Sequence, residues 1–362
     1  MTHSTEKILR IITYPIGWIY AIVSYIRNEL FDMGVLKSKS YKTAIISVGN
    51  ITVGGTGKTP FVEYIIGLLK NKYKITALSR GYGRKKKGFI EASSDSSADT
   101  IGDEPYQILR KYPDVRVAVD ANRCRALDIL EAKYPDTDAF ILDDAYQHRY
   151  VSAGKSILLI DYNRPINKDS IIPYGDLREN AIGRYRADIV VITKCPNTVT
   201  PLEARDLKKE LKLKAYQNLY FSTIKYGALR RMSDGATLDL TKEYDVLLIT
   251  AIANSNPLYE YLGTACHSLS ELRYEDHHTY KTSDLTKISK AFDDIASERK
   301  IIVTTAKDES KLLQLAMPEE IASALYVIDI TVDFLFDKKN DFDKEISGYV
   351  EKNKRNSVLF TK

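Results

Sequence analysis

The segment that most constrains this chain is Ile45-Ile46-Ser47-Val48-Gly49-Asn50-Ile51-Thr52-Val53-Gly54-Gly55-Thr56-Gly57-Lys58-Thr59-Pro60. It reads as a buried strand, a glycine-rich loop and the first turn of a helix. Glycines let consecutive backbone N–H groups curl around phosphate oxygens, and the helix N-terminus that follows adds partial positive charge. Lys58 would reach the β- and γ-phosphates of a nucleotide, and the Thr59 hydroxyl would ligate Mg²⁺. The expected nucleotide contacts are Thr52, Val53, Gly54, Gly55, Thr56, Gly57, Lys58 and Thr59. The common pattern G-x-x-x-x-G-K-[ST] wants glycine at position 52, where this chain has Thr52; Gly54 and Gly55 can supply the flexibility instead. A plain glycine-rich turn with a chance Lys-Thr is the bland alternative, and the flanking strand and helix weigh against it.

Apolar runs at residues 44–48, 75–78, 115–119, 139–142, 157–160 and 189–192 alternate with helix-like stretches such as 60–72 and 124–133. Short runs bounded by turn residues read as buried parallel strands, and the alternation is the grammar of a doubly wound α/β sheet. A Lys/Glu-rich helix at 203–213 leads to a second set of runs at 215–224, 246–249, 301–304 and 325–330. The expected organisation is an N-terminal segment 1–39, a nucleotide- and substrate-binding domain 40–214 of the P-loop NTPase type, and a smaller α/β domain 215–362. The Ser/Asp-rich stretch 92–100 reads as a loop. Three scattered cysteines with no C-x-x-C exclude a disulfide scaffold or a zinc ribbon. The net charge of +5 admits an anionic partner without implying nucleic acid.

Residues 11–26 carry no charge and are rich in Ile and Tyr, with Trp18 among them. Sixteen residues of helix rise only ~24 Å, short of a ~30 Å hydrocarbon core. Pro15 and Gly17 interrupt the run, and Lys7, Arg10 and Arg27 flank it. Aromatics edged by cations suit the lipid headgroup boundary, so a membrane-interfacial helix is expected. A helix packed on the chain's own core is the competing reading. A signal peptide is disfavoured because no small-x-small cleavage site follows.

A phosphate loop needs acidic partners for its metal. Strands ending at Asp120, Asp143 and Asp161 offer them. Asp143-Asp144 is the best pair, with Gln147 and His148 close behind on the strand's C-terminal side, where open sheets place ligands. The expected metal set is Thr59, Asp143, Asp144 and Gln147. Gly102-Asp103-Glu104-Pro105 reads either as a helix cap or as a source of a proton acceptor. Basic groups follow two further strands, Arg80-Gly81-Tyr82-Gly83-Arg84 with Lys85 to Lys87, and Arg123 with Arg125. Together they could hold an anionic substrate or lipid headgroups. Guanine recognition commonly uses [NT]-K-x-D after a strand. Thr193-Lys194-Cys195-Pro196 lacks the aspartate and Thr305-Ala306-Lys307-Asp308 has the wrong spacing, so adenine is favoured.

Taken in order, these motifs resemble the tetraacyldisaccharide 4'-kinase family, the lipid A 4'-kinases. The carrying residues run from Ser47-Val48-Gly49-Asn50 and Val53-Gly54-Gly55-Thr56-Gly57-Lys58-Thr59-Pro60 through Leu78-Ser79-Arg80-Gly81-Tyr82-Gly83-Arg84 and Gly102-Asp103-Glu104-Pro105. They continue with Leu142-Asp143-Asp144-Ala145-Tyr146-Gln147-His148, Pro173-Tyr174-Gly175-Asp176-Leu177-Arg178-Glu179, Thr193-Lys194-Cys195-Pro196, Asp276-His277-His278 and Thr304-Thr305-Ala306-Lys307-Asp308. Thr52 also fits this family's loop.

The resemblance implies transfer of the γ-phosphoryl group of ATP, with Mg²⁺, to the 4'-hydroxyl of a tetraacylated glucosamine disaccharide 1-phosphate. It implies a lipid A precursor as partner and the cytoplasmic face of a Gram-negative inner membrane as location, with the N-terminal helix as anchor. By resemblance Asp103 is the base, paired with a histidine, His277 first and His278 in reserve. Asp143 and Asp144 lie near Mg²⁺, Arg80 and Arg123 meet the acceptor, and Arg178 and Glu179 make lid or nucleotide contacts. A membrane-associated P-loop ATPase or switch protein is the alternative from another class. A soluble ligase of the same fold would leave the Ile/Tyr-rich N-terminus without a role.

Overall fold

The structure, a computed structural model, describes residues 3–276 and 278–359. The strands are β1 (Ala44–Gly49), β2 (Ile75–Ser79), β3 (Ile90–Glu91), β4 (Arg116–Val119), β5 (Ala139–Leu142), β6 (Lys155–Asp161), β7 (Ile189–Thr193), β8 (Asn218–Arg231), β9 (Thr237–Leu238), β10 (Asp245–Thr250), β11 (Ser268–Arg273), β12 (Lys300–Thr305) and β13 (Leu325–Phe334). The helices are α1 (His3–Asp32), α2 (Lys58–Leu69), α3 (Ala98–Ile101), α4 (Asp103–Lys111), α5 (Arg123–Lys133), α6 (Pro201–Leu211), α7 (Asn256–Ala265), α8 (Thr282–Asp293), α9 (Ala306–Leu312), α10 (Glu319–Ala324) and α11 (Lys339–Leu359). Among the described residues the strands join one sheet in the order β11-β10-β12-β13-β8-β7-β6-β1-β5-β2-β4-β3, with β9 on β8.

Neighbouring strands are parallel except where β8 meets β13 and β9 and where β3 meets β4. The apolar runs are continuous because parallel strands are covered on both faces. Ala44, Ile46 and Val48 of β1 face α2, α4 and α11, whereas Ile45 faces Leu127 and Leu130 of α5. β1 lies between β5 and β6, which run away from it to opposite sides. That is the switch point where open α/β sheets bind ligands beyond the strand C-termini. β8 ties the two halves of the sheet: Asn218 to Phe221 pair with β7, and Ser222 onward pairs with β13.

Three local expectations need correction. The N-terminal helix is 30 residues long, not sixteen, and continues through Pro15 and Gly17. Gly17 serves a close approach instead: a Cβ there would lie 2.6 Å from Pro173 Cδ and 2.9 Å from the Tyr174 ring. Residues 98–100 of the expected loop belong to α3, whose start is a capping box between Ser97 and Thr100. Among the described residues no helix is both long and apolar enough to cross a membrane.

The last helix returns to the first half of the sheet. Phe342, Ile346 and Val350 are fully buried beside Phe61, Val62 and Phe334. Spaced at i, i+4 and i+8, they form one stripe of α11. Phe342 stacks on Phe334 at 4.6 Å and meets Phe61 edge-on at 5.5 Å. Phe342→Ala should therefore cost about 3–5 kcal/mol of stability, read as a lowered urea midpoint. An unchanged midpoint would remove α11 from the core.

Candidate active site

Residues 50–57 turn the chain from β1 into α2. Gly54 and Gly57 take φ of +85° and +81°, a region that side chains strain. The loop is braced from outside. Asn50 Nδ2 donates to Thr56 Oγ1 at 2.9 Å and to Thr52 Oγ1 at 3.4 Å, so buried Thr52 has a structural task that glycine could not perform. The Val53 N–H donates to the Asp176 carbonyl at 2.7 Å. The carbonyls of Val53, Gly55 and Thr56 accept from Arg164, Lys194 and Thr193 respectively. In a planar peptide C=O and N–H point in opposite directions, so the amides of Gly54, Thr56 and Gly57 face away from these donors. That is the arrangement of an anion cradle.

The acidic side of the site comes from β5. Of the three candidate aspartates, Asp120 is held by Nε and Nη2 of Arg125, each at 2.8 Å, and by the Asn122 N–H, and Asp161 accepts from Lys194 and the Asn163 N–H. Asp143 is 1% exposed. Its Oδ2 accepts from Ser79 Oγ at 2.9 Å, while its Oδ1 has no partner among the described residues. Burial, followed by the nearby Glu104 and Asp144 carboxylates, pushes Asp143 up to about 7. Asp144 lies 3.6 Å from both Lys58 Nζ and Arg178 Nη1. Thr59 Oγ1 donates to Glu104 Oε1 at 3.3 Å.

Asp143, Asp144, Glu104 and Thr59 thus offer oxygen donors, the chemistry of a hard divalent cation. The unspent Asp143 oxygen, on a carboxylate crowded by others of the same sign, fits such an ion. Among the described residues no cluster of three or more His, Cys, Asp or Glu side chains makes a metal cage of its own. A cation here would need phosphate oxygens to complete its shell, as Mg²⁺ commonly does. Gln147 is turned elsewhere, with its Nε2 donating to Glu179 Oε1 at 3.3 Å.

Glu104 and Asp103 open α4, and Gly102 takes the capping position, so the carboxylates belong to the first helical turn. Asp103 Oδ2 lies 3.6 Å from Lys311 Nζ, and Lys311 Nζ donates to the His278 carbonyl at 3.0 Å. Lys311 thereby links Asp103 to the His278 carbonyl. His277 lies outside the described residues. His278 is engaged in the fold: its Nε2 pairs with Asp284 Oδ2 at 2.9 Å and its ring stacks on Tyr274 at 4.7 Å.

The arginines divide. Arg80 is exposed just past β2. Arg123 is 2% exposed, and its guanidinium donates to the Asp120 and Asp143 carbonyls, each at 3.1 Å. It fastens two strand ends beneath the site rather than facing the open edge. Burial lowers its pKa to about 10, although Asp143 and Asp144 act to raise it. Arg84 and Lys85 of the basic cluster bond to the Gly88 carbonyl and the Asp99 carboxylate. Glu179 is also buried, accepting from Asn28 of α1 and from Arg186, both at 2.8 Å, as well as from Gln147. The Tyr20 hydroxyl of α1 donates to the Arg178 carbonyl at 2.8 Å. Helix α1 is thereby attached to the strip that carries Arg178.

Asn50, Arg164, Lys194 and Lys311 were not assigned from sequence, and Asp161, weighed there as a metal partner, is instead paired with Lys194. Asn50 and Lys194 stood inside quoted motifs; Lys311 carried no local signal, because its partner is more than 200 positions away.

The family model for Tetraacyldisaccharide-1-P 4'-kinase matches residues 9–351. The tetraacyldisaccharide 4'-kinase of Phocaeicola vulgatus is 42% identical over 351 residues, spanning 95% of this chain and 96% of that one. The tetraacyldisaccharide 4'-kinase of Parabacteroides distasonis is 42% identical over 369 residues, spanning 99% of each. Among solved structures, the "apo" form of LpxK from Aquifex aeolicus in complex with ATP superposes with a TM-score of 0.71 and 28% identity, covering 94% of this chain and 99% of that one. The chain belongs to the tetraacyldisaccharide-1-P 4'-kinase family.

Proposed function

We propose that this protein is a kinase that transfers the γ-phosphoryl group of ATP to the 4'-hydroxyl of a tetraacylated glucosamine disaccharide 1-phosphate, in lipid A synthesis. The observation that carries the reading is the meeting of two helix N-termini. One presents Lys58 and Thr59, the other Asp103 and Glu104, and Thr59 and Glu104 are hydrogen-bonded across the gap. The phosphate side and a carboxylate suited to an attacking hydroxyl thus stand next to each other.

Phosphoryl transfer demands placement and charge neutralisation more than covalent chemistry. The loop amides and Lys58 hold the phosphates, and Lys58 meets the charge that develops on them. Asp143, Asp144, Glu104 and Thr59 are the residues to hold Mg²⁺, with Gln147 reaching it only by leaving Glu179. Bound there, Mg²⁺ supplies Lewis-acid neutralisation of the phosphate oxygens. Asp103 accepts the hydroxyl proton, and His277 orients and assists that carboxylate. Arg80 meets the acceptor at the open edge, and Arg123 acts on it through the strand ends it fastens. Arg178 stands next to Asp144 as a nucleotide-side contact, and Glu179 holds its strip in place. The unit 40–214 carries the nucleotide seat, and the unit 215–362 brings the segment with His277, while α11 packs back on the first.

The same reading gives α1 its role. Trp18, Ile19, Ile22, Val23, Tyr25 and Ile26 are exposed, Ile19 at 62%. Its other side is bonded to the strip with Arg178 and to the Gln147 carbonyl through Arg27. A helix with one apolar face open and the other bonded to the catalytic edge suits the surface of a membrane bearing the acceptor. The proposed location is the cytoplasmic face of a Gram-negative inner membrane.

Incubation with γ-labelled ATP, Mg²⁺ and a tetraacyl disaccharide 1-phosphate in micelles should move label into lipid, and Asp103→Ala should abolish it. Label appearing only as free phosphate would favour an ATPase. Lys58→Ala should lower kcat by about 10²-fold or more, since it removes transition-state charge stabilisation; an unchanged kcat would take the loop out of the mechanism. Ile19→Asp combined with Ile26→Asp should cut partition onto anionic vesicles about tenfold or more while ATP binding persists. Full retention on vesicles would end the anchor reading.

A further inference from the structure

Non-glycine residues rarely hold positive φ, and strain of this kind gathers at functional sites. Five such residues occur among those described: Asp144, Lys194, Lys212, Phe336 and Asp337. Two of the five stand on either side of the phosphate loop. Asp144 faces Lys58 from β5, and Lys194, with φ of +57°, reaches the loop from the end of β7. The function proposed above uses the first and leaves the second unexplained.

Lys194 Nζ donates to the Gly55 carbonyl and lies 2.8 Å from Asp161 Oδ2. Asp161, 5% exposed, is fixed in turn by the Asn163 N–H at 2.9 Å. The preceding Thr193 donates its hydroxyl proton to the Thr56 carbonyl at 2.9 Å, with the Ile160 carbonyl 3.2 Å from the same oxygen. Two consecutive residues of β7 and its turn thus hold two consecutive loop carbonyls. The peptide joining Gly55 to Thr56 has its oxygen on the ammonium, so its N–H is held on the opposite side, toward a bound phosphate.

We propose that Lys194 is a positioning residue for the nucleotide: its ammonium, steadied by Asp161, orients the Gly55–Thr56 peptide so that its amide is ready for phosphate before ATP arrives. The inference rests on the nucleotide seat proposed above. A charge-assisted bond in a half-buried site is stronger than a neutral one, and a loop already held in its binding shape spends less ordering entropy on the ligand. Glycine would suit the φ of position 194 better than lysine does, so a fold-only role gives no reason for lysine there.

Lys194→Gly and Lys194→Met should be compared with the full-length wild type by equilibrium dialysis against ATP and against adenosine, and by steady-state kinetics. The expected result is a loss of ATP affinity of about tenfold or more in both variants, the scale of one charge-assisted hydrogen bond. Adenosine affinity and the KM for the lipid acceptor should not change, and KM for ATP should rise. Unchanged ATP affinity in both variants would overturn the proposal. So would an equal rise in both KM values, since that would make Lys194 a residue of the fold alone. Failure of the wild type itself to bind ATP would instead overturn the nucleotide seat, and this inference with it.

Discussion

Everything in the site depends on β1 being paired in parallel on both sides, with β5 on one and β6 on the other. That pairing brings three strand C-termini to one edge, and the residues just beyond them have opposite signs. From β5 come Asp143 and Asp144; from the β6 and β7 side come Arg164 and Lys194. The glycine-rich turn lies between. Its cationic neighbours hold the peptide oxygens and its anionic neighbours face Lys58, so the loop is polarised across its width.

The same edge explains why buried charges are tolerated. Asp143 is nearly inaccessible and keeps one oxygen unspent, a costly state in a protein interior unless a ligand completes it. Arg123 lies just beneath, spending its charge on two strand carbonyls. Glu179 is compensated fully by Asn28, Gln147 and Arg186. One buried carboxylate is poised for a partner and the other closes a joint between α1 and the catalytic strip.

What was legible in the sequence was local. The runs at 44–48, 139–142 and 189–192 coincide with strands because parallel strands are apolar on both faces, and the loop announced itself through its glycines. Legibility failed where the partner was distant. Pro15 and Gly17 looked like breaks because each is a poor helix former alone; Gly17 is instead the point where Pro173 and Tyr174 come close. Arg123 looked like an open anion contact because a sequence does not show that its guanidinium turns inward. Thr193-Lys194 was weighed as half of a guanine motif and quoted in the family series without a role, whereas the fold puts it on the loop's carbonyls. Nothing local tied Lys311 to Asp103, and residues past 338 carried no usable motif although Phe342, Ile346 and Val350 complete the first core.

That last packing has a consequence for the order of synthesis. The side chains that cover β1 and the phosphate-loop helix on one face leave the ribosome long after Phe61 and Val62, the residues they cover. Until they emerge, Phe61 and Val62 have no cover from α11, and the core under the loop stays open to solvent. The nascent chain therefore cannot close its nucleotide-bearing half early, as domains made first usually do. Chains cut short before α11 retain every residue of the site and lack the wall behind it, so they present an exposed apolar face to chaperones and proteases.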